Sequence, residues 1–215
     1  NTGRVSVPDP RLSQVGEIAK SAKIVPAHLE FVDIAGLVKG ASKGEGLGNQ
    51  FLATIREVDA ILHVLRCFDD RNIPHVEKSI NPVRDAEVVE TELMLADLIG
   101  LEKRTDPLTK KAKAGEKGAS EELVLLERLL HTLQDGKPAR NLPLKVGEEK
   151  RFQMLQLLTS KPVLYVCNVE EEFAVNGNQY SDEVTIYAKN QGNKSLVISA
   201  NFEAEVAQLE DDFEK

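Results

Sequence analysis

The 215-residue chain has only two cysteines, no tryptophan, few aromatic residues (5%) and no apolar run near the length of a membrane span. Cys67 and Cys167 stand 100 positions apart, and no Cys or His lies at metal-ligand spacing. That excludes a disulfide framework, argues against a structural zinc site, and makes a reducing, cytoplasmic compartment the simplest fit. A membrane helix needs about 20 apolar residues, so no membrane partner is expected. The opening Asn1-Thr2-Gly3-Arg4 is neither a signal peptide nor a start methionine, so the sequence is expected to begin inside a longer protein. A basic excess is also missing: 27 Lys and Arg face 35 Asp and Glu, a net charge of −8. Uniform attraction to nucleic acid is thereby excluded, and DNA is not an expected partner.

The charge is unevenly spread. Residues 103–151 carry a balance of +4, leaving −12 on the remainder. A basic segment inside an acidic body is either a solvated helical surface or a lobe that meets RNA phosphate.

With 41% hydrophobic residues a core can form. Four short apolar runs read as buried strands: Glu30–Asp33, Ala60–Arg66, Val163–Asn168 and Ser195–Ser199. They lack clean alternation, which predicts a sheet covered on both faces. Leu12, Val15 and Ile18 mark one face of a first helix, and Phe51, Leu52 and Ile55 one face of another. Strands alternating with helices predict an α/β fold with a mostly parallel sheet. One connection is too long: 96 residues separate Arg66 from Val163, where a whole βαβ unit takes roughly 30. The apolar run from Val88 to Ile99, and Leu123, Leu126, Leu130 and Leu133 at three- and four-residue steps, predict two helices. Ala114-Gly115-Glu116-Lys117-Gly118 has turn composition. The expectation is an antiparallel helical hairpin over 93–160, inserted between body segments 1–92 and 161–215.

Three strand ends carry residues suited to a nucleotide. Asp33-Ile34-Ala35-Gly36 follows the first strand. Asp33 could hold Mg²⁺ through a water, and Gly36 could bring its N–H to a terminal phosphate with no side chain in the way. The glycine-rich Lys39–Asn49 that follows costs entropy to order and suits a switch. Its spacing is not the dinucleotide fingerprint, which disfavours a dehydrogenase. At the third strand's end stands Asn168-Val169-Glu170-Glu171, where an amide and a carboxylate three residues apart can read a purine edge. At the fourth, Ser199-Ala200 could cover the base through backbone groups.

These residues, above all Phe31–Leu37, Gly44–Leu52 and Ile55–Ala60, resemble the YchF subfamily of Obg-like P-loop NTPases, and the resemblance extends over essentially the whole chain. It implies a Ras-like nucleotide-binding sheet flanked by helices, a coiled-coil hairpin inserted in it, a TGS domain expected after Lys215 and a phosphate loop expected before Asn1. It further implies Mg²⁺-dependent hydrolysis of ATP, with GTP weaker, and a ribosome or ribosomal RNA partner. Without the phosphate loop, residues 1–215 alone are expected to bind nucleotide poorly. GTPases of this class use Asn-Lys-x-Asp to read guanine, whereas Val169 and Glu171 occupy the Lys and Asp positions here. The extra methylene displaces the carboxylate, and an unpaired buried polar group costs about 1–3 kcal/mol, which weakens guanine preference and leaves tolerance of either purine open. Many relatives place Gln after Asp-x-x-Gly to orient the attacking water; Leu37 cannot do so. His75 matches a family histidine to which that role is assigned. His63, within a strand, reads as a core or edge residue. The alternative function is an RNA- or ribosome-binding adaptor acting through the basic hairpin without significant catalysis.

Overall fold

The computed structural model describes residues 2–34, 47–75, 77 and 79–209, with the backbone alone for 47–50. Gly36 and the glycine-rich stretch as far as Gly46 lie outside the described residues. Two units are distinguished, residues 1–36 and residues 37–215.

In the first unit, β1 (Thr2–Ser6) and β2 (His28–Val32) pair antiparallel, with Thr2 opposite Val32 and Ser6 opposite His28. Between them, α1 (Pro10–Ile18) starts where Pro10 presets the backbone and Asp9 accepts a hydrogen bond from the Arg11 N–H at 3.0 Å. The sequence predicted β2 in the parallel sheet, but among the described residues its partner is β1, a segment with too little apolar content to register as a strand. The apolar face predicted for α1 is not buried: Val15 and Ile18 are exposed, and Gly16 is the residue that is covered. Ile24 lies so close to Gly16 that a Cβ there would meet its Cδ1 at 2.5 Å.

The first described element of the second unit is α2 (Leu47–Glu57), which takes in the end of the glycine-rich stretch and buries Leu52 and Ile55 as predicted. Strands β3 (Ile61–Arg66), β4 (Val163–Asn168) and β5 (Lys194–Ile198) form a parallel sheet in the order β3-β4-β5. Between β3 and β4 run α3 (Pro82–Lys113), α4 (Ala119–Gln134) and the short α5 (Glu149–Met154). Between β4 and β5 lies α6 (Gln179–Asn190), and α7 (Ala200–Ala207) follows β5.

One face of the sheet is buried. Leu65, Tyr165 and Cys167 pack with Ala86 of α3 and with Val184 and Ala188 of α6. His63 sits on this face, 5.7 Å from the Tyr165 ring centre, and burial lowers its pKa to about 4 against smaller opposing pulls from Glu90 and Asp85. Both cysteines are buried free thiols in this core. The expectation of cover on both faces is met only in part among the described residues: on the opposite face Val166 is buried, but Leu62, Val64 and Leu196 are exposed.

The hairpin has its own core. Asn81 caps α3 with Pro82 behind it, and Gly115 and Gly118 take left-handed backbone (φ 77° and 83°) at the turn. The buried ridge of α4 is Leu125, Leu126, Leu129 and Leu133, with the predicted Leu123 and Leu130 only partly buried at its margins. It packs on Leu101 and Leu108 of α3 and on Leu155 and Leu157 of the returning chain.

The return to β4 is fixed by Asp97, 2% exposed on α3. Its carboxylate accepts from the N–H of Leu158 (2.9 Å) and Thr159 (2.8 Å) and from the Thr159 hydroxyl (2.7 Å). Burial raises the Asp97 pKa, outweighing the lowering by these bonds. Asp97→Ala leaves two buried N–H donors unpaired and should destabilise the fold by about 2–4 kcal/mol in denaturant titration; a loss below about 1 kcal/mol would mean that water replaces the carboxylate.

Candidate nucleotide site

At the carboxyl edge of the sheet, parallel pairing brings two chain segments side by side. Asn168 ends β4, and its carbonyl accepts from the Cys67 N–H at 2.8 Å, extending the β3 pairing by one residue. The Val169 N–H donates to the Ile198 carbonyl at 2.9 Å, doing the same on the β5 side. Val169 is thereby buried, 3% exposed. Ser199, 1% exposed, caps α7 by accepting from the Phe202 N–H at 3.5 Å.

The side chain of Asn168 crosses to the next loop, where its Oδ1 accepts from the Ala200 N–H at 2.8 Å. Since a backbone N–H can only donate, this bond fixes which end of the amide is oxygen. The Nδ2 donor points elsewhere, with no partner among the described residues. Glu171 stands beside it, one oxygen accepting from Asn201 Nδ2 at 2.6 Å. Thus Asn168, Val169, Glu171, Ser199 and Ala200 come together at one end of two neighbouring strands. Asn201 was not singled out from sequence, although it directly follows Ser199-Ala200.

His75 lies on the connection from β3 to α3, clamped at both ends. Upstream, the Arg66 guanidinium donates to the carbonyls of Phe68 (3.2 Å), Asp70 (2.9 Å) and Ile73 (3.0 Å), and stacks 4.8 Å from the Phe68 ring centre. Downstream, Arg84 donates to the Ser79 carbonyl (2.7 Å) and hydroxyl (2.9 Å) and to Asp85 Oδ1. His75 Nε2 is 3.0 Å from Asp85 Oδ2, and Nδ1 accepts from the Glu77 N–H at 3.2 Å. The Asp69 N–H donates to Glu170 Oε1 at 3.4 Å, which joins this connection to the Asn168–Glu171 loop. Arg66, Arg84 and Asp85 also escaped the sequence reading. Asn81-Pro82 with Asp85 in the first turn is a helix-start signal, but nothing in it announces a histidine partner.

Asp33 directly follows β2 in the first unit and is exposed. Among the described residues no cluster of three or more His, Cys, Asp or Glu could hold a metal ion. A lone exposed carboxylate still fits Mg²⁺, which keeps several waters and completes its shell with phosphate oxygens. Gly36 lies outside the described residues.

Residues 12–90 match the family model described as 50S ribosome-binding GTPase. The chain is 49% identical over 212 residues to the ribosome-binding ATPase YchF of Escherichia coli O157:H7, covering 99% of this chain and 58% of that protein. It is 45% identical to the protein of the same name from Bacillus subtilis strain 168, with 98% of this chain and 58% of the relative covered. The Schizosaccharomyces pombe YchF GTPase structure superposes with a TM-score of 0.81 at 34% identity, over 99% of this chain and 59% of that one. The chain therefore spans about three fifths of the length of these relatives. Within the length it spans, it belongs to the YchF family of P-loop NTPases.

Proposed function

We propose that the chain forms most of the nucleotide-binding body, together with the helical hairpin, of a cytoplasmic, ribosome-associated enzyme that hydrolyses ATP in preference to GTP. The observation that carries this reading is the bond from the Ala200 N–H to Asn168 Oδ1. It orients Nδ2 before any ligand arrives, as a donor for a purine ring nitrogen. Preorganised donors of this kind need no rearrangement at binding. Glu171 beside it accepts from the exocyclic amine of adenine, and its tether to Asn201 draws one carboxylate oxygen away from the two-donor edge of guanine. Val169 and the Ser199-Ala200 backbone close over the base.

For the phosphates, Asp33 would hold Mg²⁺ through water and Gly36 would offer its N–H to the γ-phosphate. The ion supplies charge neutralisation for the transferring phosphoryl group. His75 orients the attacking water, a role that Leu37 cannot fill. Domain boundaries near residues 92 and 161 separate the catalytic body from the hairpin.

Two variants in the complete protein test the base site by equilibrium titration with ATP and GTP. Asn168→Ala should weaken both nucleotides by about tenfold or more, as expected for loss of one oriented hydrogen bond and its loop tether. Glu171→Asp should shift the ATP-to-GTP affinity ratio toward GTP. If Asn168→Ala leaves both affinities within twofold of wild type, the base is bound elsewhere.

The hairpin supports the partner assignment. At its distal end Lys103, Arg104, Lys111 and Lys117 line a shallow groove together with Pro107 and two acidic residues, Glu116 and Glu122, so that basic groups outnumber acidic ones there. This concentration of positive charge on an acidic protein also favours the reading of an adaptor that meets ribosomal RNA without significant catalysis. Neutralising Lys103, Lys111 and Lys117 together should lower ribosome co-sedimentation and flatten its salt dependence. An unchanged salt slope would remove the hairpin tip as the RNA contact, and absence of Mg²⁺-dependent ATP turnover in the complete protein would favour the adaptor.

A further inference from the structure

We infer that Asp85 is a positioning residue for His75: it holds the imidazole against the first turn of α3, and release of that contact determines when His75 can meet water. The inference rests on the water-orienting role proposed above.

A neutral imidazole has one donor and one acceptor. At His75 both are engaged by the protein. The Glu77 amide can only donate, so the ring nitrogen it reaches, Nδ1, carries the lone pair. The proton of the neutral ring then sits on Nε2 and points at Asp85 Oδ2, 3.0 Å away. A catalytic carboxylate–histidine pair works differently: the carboxylate occupies one nitrogen and leaves the other for the reacting proton. Here neither nitrogen is left, so His75 cannot orient a water until one bond opens.

The bond that holds it is well supported. Side-chain exposure is 20% for His75 and 24% for Asp85, so solvent screens the contact only partly. Asp85 is itself held, with Oδ1 accepting from Arg84 Nε (3.2 Å) and Nη2 (3.0 Å) and its N–H donating to the Asn81 carbonyl at 3.0 Å. A hydrogen bond to such a charged acceptor is stronger than one between neutral groups. Asp85 also belongs to the first turn of the 32-residue helix that forms one arm of the hairpin. At about 1.5 Å per residue that arm is roughly 48 Å long, and its root carries the histidine contact. A partner that tilts the hairpin therefore acts on the carboxylate that restrains His75.

Steady-state ATP turnover of the complete protein, free of ribosomes, tests this with His75→Ala, Asp85→Ala, Asp85→Asn and the Asp85→Ala/His75→Ala pair. Asp85→Ala should raise kcat by about tenfold, the order expected from removing one charge-assisted hydrogen bond, with KM for ATP little changed. The isosteric Asp85→Asn should raise it less, and the double variant should match His75→Ala. In ¹⁵N spectra, the wild-type His75 ring should show the Nε2–H tautomer and Asp85→Ala a mixture. A fall or no change in kcat with both Asp85 variants, beside an impaired His75→Ala, overturns the restraint while leaving the role of His75 intact. If His75→Ala turns over as wild type does, the water-orienting role fails and the restraint fails with it.

Discussion

Strand β3 lies beside β4 although 96 residues separate Arg66 from Val163, and the parallel sheet of the second unit forms only when that pairing closes. Closing so long a connection costs chain entropy, with an increment that grows slowly with length, so the inserted chain must fold on itself and return to register. The leucine seam of α3 and α4 folds it. Asp97 returns it, holding the Leu158 and Thr159 backbone just ahead of β4. The same Thr159 hydroxyl accepts from the Ala139 N–H at 3.0 Å, which ties the chain leaving α4 to the same point. Burying a carboxylate is unfavourable, and three donors are what make it tolerable there.

Once β4 is in place, the candidate residues at its carboxyl end need little further construction. Their positions follow from pairing on both sides of one strand: Cys67 to Asn168 on the β3 side, Val169 to Ile198 on the β5 side. Asn168 then spans the gap to Ala200. The same strand ends launch the His75 connection, which Arg66 and Arg84 clamp and Glu170 joins to the Asn168–Glu171 loop. Because α3 is both a wall of the sheet's core and an arm of the hairpin, one continuous helix runs from the candidate site to the hairpin. The two ends of α3 carry Asp85 and the groove that Lys103 and Lys111 line.

Much of this was legible in the sequence because hydrophobic burial leaves marks at short range. The apolar runs of β3, β4 and β5 and the oversized gap between the first two gave the sheet and the insertion, and the glycines at 115 and 118 gave its turn. That Asn168, Glu171, Ser199 and Ala200 would lie together was legible because neighbouring parallel strands bring their carboxyl ends to one edge. What was missed depends on partners far away in the chain. Strand β1 has few apolar residues and is defined by β2. On α4 the seam turned toward Leu125 and Leu129 because α3 and the returning Leu155 and Leu157 approach from that side. Asp97 was read within an apolar run, and its ligands lie 61 and 62 residues downstream. Asp85 resembled an ordinary acidic residue at a helix start, a place favoured by the helix dipole whatever its other contacts.

The proposed purine site lies at the ends of β4 and β5. Backbone amide shifts of the complete protein, followed as a non-hydrolysable Mg²⁺·ATP analogue is added, test it most directly. The expected result is that Val169, Glu171, Ala200 and Asn201 are among the largest perturbations and saturate together with one affinity. Perturbations confined to other surfaces, with these four amides unmoved at saturation, would contradict it.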